Sequence, residues 1–348
     1  MADQFKATGT KDGFERHGGD LDRAAARYGD PVDGWVDLST GINPRAYPLP
    51  PIPAEAWTRL PQASAEHAAK AAAAEAYGAK SMDLIVCAPG TQILIQALPR
   101  VLSVRSVAVV GPTYSEHAAA WRAAGVLTED AGDLPPPDRS VVVVNPNNPD
   151  GRTFTPDQLA QWAAQATQGG HVLIVDEAYA DVRPDLSLVP RLPFPNVVIL
   201  RSFGKFHGLA GLRLGFAVST PEIAARLADD LGPWAVSGPA LEVGARALAD
   251  HEWARAERSR LADEMARLRD LLRDAGATVI GGTDLFVSVE HDRAPDLFDH
   301  LATAGIWMRR FAERPRHLRF GLPGTASAWA RLSEALAAFE HMGSRRHG

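Results

Sequence analysis

The sequence predicts an α/β fold with a large domain, whose mostly parallel sheet is sandwiched by helices, and a smaller α+β C-terminal domain. Short apolar runs recur without polar alternation, which is typical of strands buried on both faces. Helical stretches lie between several of these runs, and strands that alternate with helices form parallel sheets. Beyond Thr220-Pro221-Glu222 the pattern changes to a long helical region rich in Ala, Arg and Glu, which indicates the second domain.

The N-terminal part is predicted to hold two turns and two helical stretches. His17-Gly18-Gly19-Asp20 precedes a short helix, and the segment 35–44 is predicted to be extended and to end in a turn. An alanine-rich helix follows over residues 54–77, and Gly78 is its C-terminal stop signal.

The core strands are predicted from six continuous apolar runs: 84–88, 107–110, 141–144, 172–175, 197–200 and 214–218. Thr155-Pro156-Asp157 is a helix start signal, because it combines a capping hydroxyl, a proline in the first turn and an acid. Ligands of parallel α/β sheets bind beyond the carboxyl ends of the strands. The polar residues that follow these runs are therefore the candidates for a functional site.

The C-terminal part is predicted to be mainly helical. The long helical region has breaks near Gly232-Pro233 and at 237–239, and Gly276 ends it. The remaining predicted elements are strands at 285–289 and 317–320, a helix near 295–304 between them, and a final helix at about 326–342.

The composition is that of an ordinary globular chain of 348 residues, with a formal net charge of −6. This charge gives no reason to expect a nucleic acid or a membrane as partner, so an anionic ligand needs a local basic pocket. Cys87 is the only cysteine and lies in an apolar run, so we expect a buried thiol and no intrachain disulfide. No signal segment and no apolar run of membrane-spanning length is present, so we expect a cytoplasmic protein.

The clearest candidate for chemistry is Lys205, which follows one apolar run and precedes a glycine-rich segment, 208–215. A lysine held partly out of water can form a Schiff base, although most lysines are merely solvated. Asp176 and Tyr179 follow another run, and Asn148 follows a third. Carboxylate, phenol, amide, lysine and arginine at strand ends suit an aromatic, phosphate-bearing, electron-withdrawing cofactor, pyridoxal phosphate.

Four motifs follow one another along the chain: Asn-Asn-Pro-x-Gly from Asn147, Asp-Glu-Ala-Tyr from Asp176, Ser-x-x-Lys from Ser202, and Gly-Leu-x-Gly-Leu-Arg-x-Gly from Gly208. In this order they resemble the fold-type I, pyridoxal phosphate-dependent aminotransferases of class I/II, over nearly the whole chain. The most similar branch holds histidinol-phosphate aminotransferase and the L-threonine-O-3-phosphate decarboxylase of cobalamin biosynthesis. The segment Ser-Thr-Gly-Ile-Asn-Pro, which begins at Ser39, resembles the sequence of the decarboxylase more than that of the aminotransferase.

The resemblance implies three regions: an N-terminal segment, 1–45, that contributes to the substrate pocket and the small domain, a large cofactor-binding domain, 46–232, and a small C-terminal domain, 233–348. It also implies a homodimer and a small phosphorylated amino acid as substrate. No metal ligands are assigned.

The resemblance implies a set of cofactor contacts: Gly90, Thr91, Gln92, Tyr114, Asn148, Asp176, Tyr179, Ser202, Lys205 and Arg213. Three of them would be catalytic: Lys205 through its amine, Asp176 by holding the ring nitrogen protonated, and Tyr114 by stacking on the ring. The alternative interpretation of the segment at Gly90 is an ordinary βα turn, and that of Arg213 is a surface arginine. The buried position predicted for Asp176 favours a functional partner.

The substrate contacts implied by the resemblance are His17, Gly18, Asn43, Asn148 and Arg319. Arg319 would bind the α-carboxylate, for which a planar guanidinium is well suited. Two positions depart from the family pattern. Gly204 stands where a hydroxyl residue often contacts the cofactor phosphate, and Leu60 stands where a tyrosine commonly reaches the partner subunit's phosphate.

Three functions remain open on the sequence alone. The first is decarboxylation of L-threonine O-3-phosphate to (R)-1-amino-2-propanol O-phosphate. The second is transamination of histidinol phosphate or a related phosphorylated amino compound. The third is a non-catalytic domain of aminotransferase ancestry, against which the joint presence of Asp176, Lys205 and Arg213 argues.

Overall fold

A computed structural model describes residues 17–344, which form two compact units. The larger unit spans residues 45–260, and the described part of the smaller one covers residues 17–44 and 261–344. Residues 1–16 of the predicted N-terminal segment lie outside the described part. The predicted boundary between residues 232 and 233 differs from this division. Residues 233–260 belong to the larger unit, where side chains of the segment 236–248 share a core with those of 69–77.

The helices of the described chain are α1 (Leu21–Tyr28), α2 (Ala54–Thr58), α3 (Ala63–Tyr77), α4 (Thr91–Val101), α5 (Glu116–Ala123), α6 (Pro156–Gly169), α7 (Phe203–Phe206), α8 (Pro221–Leu231), α9 (Gly238–Ala249), α10 (His251–Asp274), α11 (Ala294–Thr303) and α12 (Ala326–Ser344). Within this part of the chain no helix is both long and apolar enough to cross a membrane.

The strands of the described chain are β1 (Val36–Leu38), β2 (Ile85–Ala88), β3 (Ser106–Val109), β4 (Leu127–Asp130), β5 (Ser140–Val144), β6 (Leu173–Asp176), β7 (Val197–Ser202), β8 (Gly215–Val218), β9 (Thr278–Gly282), β10 (Phe286–Glu290), β11 (Ile306–Phe311) and β12 (Arg314–Gly321).

The larger unit is built on a seven-stranded sheet with the order β2-β8-β7-β6-β5-β3-β4. Only β8 runs antiparallel to its neighbours, so the predicted mostly parallel sheet is confirmed. Alternate residues of the central strands enter two separate cores. On one face Val175 and Ile199 pack with α3, α6 and α9, and on the other Ile174 and Val198 pack with α4, α5 and α8. The sheet is therefore sandwiched by helices, as predicted.

The start of α6 is fixed by a reciprocal pair of hydrogen bonds. The Gln158 N–H donates to the Thr155 hydroxyl at 3.3 Å, and the Thr155 N–H donates to the Gln158 side-chain oxygen at 2.9 Å. This capping box confirms the predicted helix start. The helix predicted over 54–77 is two helices, because the residue before Pro61 is disfavoured in helical conformation.

The smaller unit contains a five-stranded sheet with the order β1-β11-β12-β10-β9. β1 pairs with β11 in parallel, and the other pairs are antiparallel. The N-terminal strand β1 is therefore part of the same sheet as the C-terminal strands. In this register Arg309 of β11 stands directly opposite Arg319 of β12.

Candidate active site

The predicted cofactor residues of the larger unit lie at one edge of its sheet. The strands β2, β3, β5, β6 and β7 all end at this edge, because β8 pairs antiparallel with both β2 and β7. β8 begins at the same edge, so Arg213, two residues before it, lies there as well. This is the edge at which open α/β sheets bind ligands.

The turn between β2 and α4 brings Gly90 against Arg213. Gly90 has a φ of +85°, which favours glycine, and a Cβ at this position would lie 2.5 Å from Nη2 of Arg213. A Cβ on Gly215 would lie 2.7 Å from the Thr91 nitrogen. Thr91 and Gln92 open α4, whose first N–H groups have no intrahelical acceptor. Guanidinium and helix N-terminus together form a cradle suited to a phosphate.

Lys205 lies in the short helix α7, directly after β7, and its side chain is half-buried. Its Nζ is 5.6 Å from the centre of the Tyr179 ring. The structure explains why glycine occupies position 204, because a Cβ there would lie 2.7 Å from Cα of Ala210. A hydroxyl residue at position 204 would require the turn Ala210–Leu212 to move.

The Asp176 carboxylate at the end of β6 is 3% exposed and has two partners. Its Oδ2 is 2.8 Å from Nε2 of His117, and its Oδ1 accepts a hydrogen bond from the Ala178 N–H at 2.9 Å. His117, on α5, is fully buried. His117 was not among the predicted site residues, because this contact joins residues 59 apart and no motif contains both.

Tyr114 and Gln92 are brought together from the loop after β3 and the start of α4. The Tyr114 hydroxyl donates to Oε1 of Gln92 at 3.1 Å, and the Tyr114 ring stands edge-on to His117 with centroids 6.1 Å apart. The ring is only partly buried, so one part of it remains accessible to a ligand. Asn148 and Ser202 are also partly buried at the strand-end edge, whereas Tyr179 is 4% exposed.

The predicted substrate contacts other than Asn148 all belong to the smaller unit. His17 and Gly18 are exposed, and Asn43 is 1% exposed. Arg319 is 6% exposed and donates from Nη2 to the Ser39 carbonyl at 2.7 Å, while its guanidinium carbon lies 5.1 Å from the centre of the Phe286 ring.

Arg309 is a further cation of the smaller unit that was not among the predicted site residues. Its Cα pairs with that of Arg319 across β11 and β12, so the two side chains leave the same face of the sheet. Like charges directly opposite each other destabilise a sheet unless an anion neutralises them. The sequence feature that could have indicated this site residue is an arginine directly after the apolar run 306–308. It was not recognised, because no strand had been predicted there.

The comparisons with known proteins agree with this architecture. Residues 54–336 match the aminotransferase class I and II family. The chain is 45% identical to the threonine-phosphate decarboxylase of Pseudomonas aeruginosa and 46% identical to that of a Sinorhizobium species; each match covers 93% of this chain and 98% of the relative. The solved histidinol-phosphate aminotransferase from Clostridium acetobutylicum has the same fold, with a TM-score of 0.75 and 21% identity over 87% of this chain and 98% of that one.

The chain therefore belongs to the class I and II aminotransferase family, and it has the fold-type I transferase fold that the four motifs predicted. The two threonine-phosphate decarboxylases are similar to it over nearly their whole length.

Proposed function

We propose that this chain is a pyridoxal phosphate-dependent enzyme that decarboxylates L-threonine O-3-phosphate to (R)-1-amino-2-propanol O-phosphate, a step of cobalamin biosynthesis. The observation that carries the proposal is the 45–46% identity to two threonine-phosphate decarboxylases over 98% of each relative. In this reaction the substrate carbon loses its carboxylate as carbon dioxide and takes up one proton in its place.

The residues of the larger unit fit the cofactor. A Cβ at Gly90 would fill the space beside Arg213, and the N-terminus of α4 opens at the same place. When bound, pyridoxal phosphate supplies an electron sink for the electron pair left on the substrate carbon. We assign its phosphate to Arg213, the segment 90–92 and Ser202. Lys205 attaches it through its amine.

The remaining contacts adjust the electronic properties of the ring. Asp176, held by His117, would keep a proton on the pyridine nitrogen, because a nearby carboxylate favours the charged form. Tyr114 would stack on the ring. Asn148 and Tyr179 would donate hydrogen bonds to the 3-oxygen.

Specificity is assigned to two anion anchors. Arg319 binds the α-carboxylate, since a planar guanidinium binds a carboxylate through two parallel hydrogen bonds. His17, the Gly18 N–H and Asn43 bind the substrate phosphate, and Arg309 adds a second guanidinium on the face of Arg319. Holding both ends of the substrate selects one rotamer about the reacting carbon, and each charged hydrogen bond contributes roughly 1.5–3 kcal/mol to that selection.

The experiment that tests this function supplies purified holoenzyme with L-threonine O-3-phosphate. We expect release of carbon dioxide and formation of the aminopropanol phosphate without any requirement for 2-oxoglutarate. Rapid transamination of L-threonine O-3-phosphate or histidinol phosphate, with no carbon dioxide, would establish the aminotransferase alternative instead. A preparation that binds no pyridoxal phosphate would favour the non-catalytic alternative.

The assignment of Lys205 has its own test. Borohydride should fix pyridoxal phosphate covalently to the wild-type chain but not to Lys205→Ala, and mass spectrometry of peptides locates the adduct. Lys80→Ala is the matched control, because Lys80 is an exposed lysine of the same unit. A covalent adduct that persists in Lys205→Ala would show that another lysine is the attachment point.

The homodimer implied by the family is supported by an apolar surface of the larger unit. Trp57, Leu60 and Trp234 are 67%, 59% and 60% exposed. Pro61 and Trp234 line a cavity of about 440 Å³, and a Cβ at Gly238 would overlap the carbonyl of Ala56, so these segments are neighbours. We propose that a second copy of the chain covers this surface, here called the Trp234 patch.

A further inference from the structure

Ser39, the residue after β1, occupies a node of hydrogen bonds in the smaller unit. It is 1% exposed. Its hydroxyl accepts the Gly19 N–H at 2.7 Å and donates to Oδ1 of Asp37 at 2.6 Å. Its own N–H donates to the same Asp37 oxygen at 2.8 Å, and its carbonyl accepts Nη2 of Arg319 at 2.7 Å. Backbone and side chain of one residue therefore join two separate segments.

The bonds fix the orientation of the hydroxyl. A serine hydroxyl has one hydrogen and two lone pairs. Since the hydrogen is given to the Asp37 carboxylate, a lone pair is directed to the Gly19 N–H. A bond to a carboxylate is stronger than a neutral one, so Asp37 holds the hydroxyl in this orientation.

Close backbone approaches confine the same segment. A Cβ at Gly18 would overlap the Ser39 carbonyl oxygen, and a Cβ at Gly321 would overlap the Thr40 carbonyl oxygen. A Cβ at Gly324 would lie 2.6 Å from Cβ of Pro44. Glycine is needed where backbone segments approach this closely. The turn at 17–19 and the end of β12 therefore both pack closely against residues 39–44.

We infer that Ser39 is a positioning residue that couples the phosphate anchor at His17–Gly19 to the carboxylate anchor at Arg319 and thereby sets specificity for substrates carrying both groups. The inference rests on the proposed function, because it uses the assignment of these two anchors. The hydroxyl holds the 17–19 turn, and the carbonyl fixes the plane of the Arg319 guanidinium. The hydroxyl of Ser39 therefore acts on the anchor of the substrate phosphate, and its carbonyl acts on the anchor of the α-carboxylate.

Ser39→Ala separates the two halves, because it removes the hydroxyl and keeps the carbonyl. We expect KM for L-threonine O-3-phosphate to rise about 3- to 10-fold, which corresponds to the loss of one neutral hydrogen bond, the one that the hydroxyl accepts from the Gly19 N–H. The preference for L-threonine O-3-phosphate over unphosphorylated L-threonine, measured as the ratio of kcat/KM, should fall by a similar factor. Ser39→Thr, which keeps the hydroxyl, should restore most of that preference.

Calorimetric titration of the holoenzyme with two probes gives a readout that is independent of turnover. Inorganic phosphate should bind Ser39→Ala about 3- to 10-fold more weakly than wild type, whereas acetate, which reports on Arg319, should bind with unchanged affinity. Ser140→Ala is the matched control, because Ser140 also has a buried hydroxyl that accepts one backbone N–H, that of Val172 at 3.1 Å. It should change neither probe.

Three results would overturn the inference: equal weakening of both probes in Ser39→Ala, the same losses in Ser140→Ala, or a wild-type holoenzyme that does not bind inorganic phosphate. The first two would reduce Ser39 to a purely structural role. A wild-type enzyme that shows the expected probe affinities but releases no carbon dioxide would refute the proposed function and leave the coupling of the two anchors intact.

Discussion

At the scale of single residues, the environment of Asp176 determines what that carboxylate can do. A buried charge is tolerated only with partners, and Asp176 has one on each oxygen: Nε2 of His117 and the Ala178 N–H. Both partners place a nitrogen against a carboxylate oxygen. The carboxylate is therefore held in a fixed position at the end of β6 by the protein itself.

We predict that His117→Phe lowers kcat by about 10- to 100-fold, the equivalent of one hydrogen bond to a charged group. The phenylalanine ring keeps most of the volume in the buried site but cannot donate to Asp176. Steady-state kinetics with L-threonine O-3-phosphate, together with the Kd for pyridoxal phosphate, would measure the effect. His251→Phe is the control, since it removes an exposed partner of Glu75; a His117→Phe enzyme as active as this control would contradict the role.

The sequence predicts the position of a candidate residue correctly where that residue lies at the end of a buried strand. Asp176, Lys205 and Arg213 follow or precede a buried strand, and a strand end determines the edge at which they stand. Their roles remain predictions. His117 and Arg309 were missed because their significance depends on a partner distant in sequence or on strand register, which no local motif encodes.

At the scale of elements, the end of β7 is tied to the loop after β6 by a buried ion network. Arg201 is 2% exposed and pairs with Glu177 at 2.7 Å and with Asp181. Its guanidinium carbon lies 4.2 Å from the centre of the Tyr77 ring, on α3. Burial raises the pKa of Glu177 above its ordinary value, although Arg201 opposes that shift. These contacts hold the strand from which α7 and Lys205 follow.

We predict that Arg201→Met destabilises the protein by roughly 3–5 kcal/mol, because it leaves two buried carboxylates without their cation. Without Arg201 the folded-state pKa of Glu177 rises further. A folded state that binds more protons than the unfolded state loses stability as pH increases through that pKa. The destabilisation should therefore be larger at about pH 8 than at about pH 5, which urea unfolding at both values would measure.

Arg191→Met is the matched control for this prediction, since Arg191 and its partner Asp157 are both exposed. Exposed ion pairs contribute little to stability, so this variant should unfold close to wild type at both pH values. If Arg201→Met also unfolded like wild type, the network would not hold β7 as described.

The success of element prediction depended on burial. The six strands predicted for the large sheet are present within two residues, because a strand covered on both faces is a continuous apolar run. β4 and β9 were missed, since β4 is an edge strand that is mostly exposed and has one apolar residue in four, and β9 is only partly buried. β11 was missed because its apolar residues are only three before the arginines begin.

At the scale of the whole molecule, the division between the two units falls inside α10, between Arg260 and Leu261. The helix runs through this point without a glycine, a proline or a change of composition. The boundary predicted between residues 232 and 233 falls instead at Gly232-Pro233, which only separates α8 from α9. The β1 strand lies in the N-terminal segment that was predicted to contribute to the small domain, and its pairing with β11 places it in the sheet of the smaller unit.

The molecule-scale prediction concerns the Trp234 patch, which we propose is covered by a second copy of the chain. Trp234→Glu places a charge on this surface, and burying an unpaired charge in an interface is strongly unfavourable. We expect the wild-type protein to sediment as a species of twice the 37.3 kDa chain mass and Trp234→Glu to sediment as a single chain. Truncation of a tryptophan at the centre of an interface typically costs at least about 2 kcal/mol, or roughly 30-fold in Kd.

The control for the dimer prediction is Leu134→Glu, which introduces the same charge at a leucine that is 64% exposed elsewhere in the larger unit. Because isolated exposed apolar side chains are ordinary on protein surfaces, this variant should retain the wild-type mass. Equal dissociation in both variants would indicate a general effect of charge rather than a specific interface. A Trp234→Glu protein that remains dimeric over the same concentration range would move the proposed interface away from this patch.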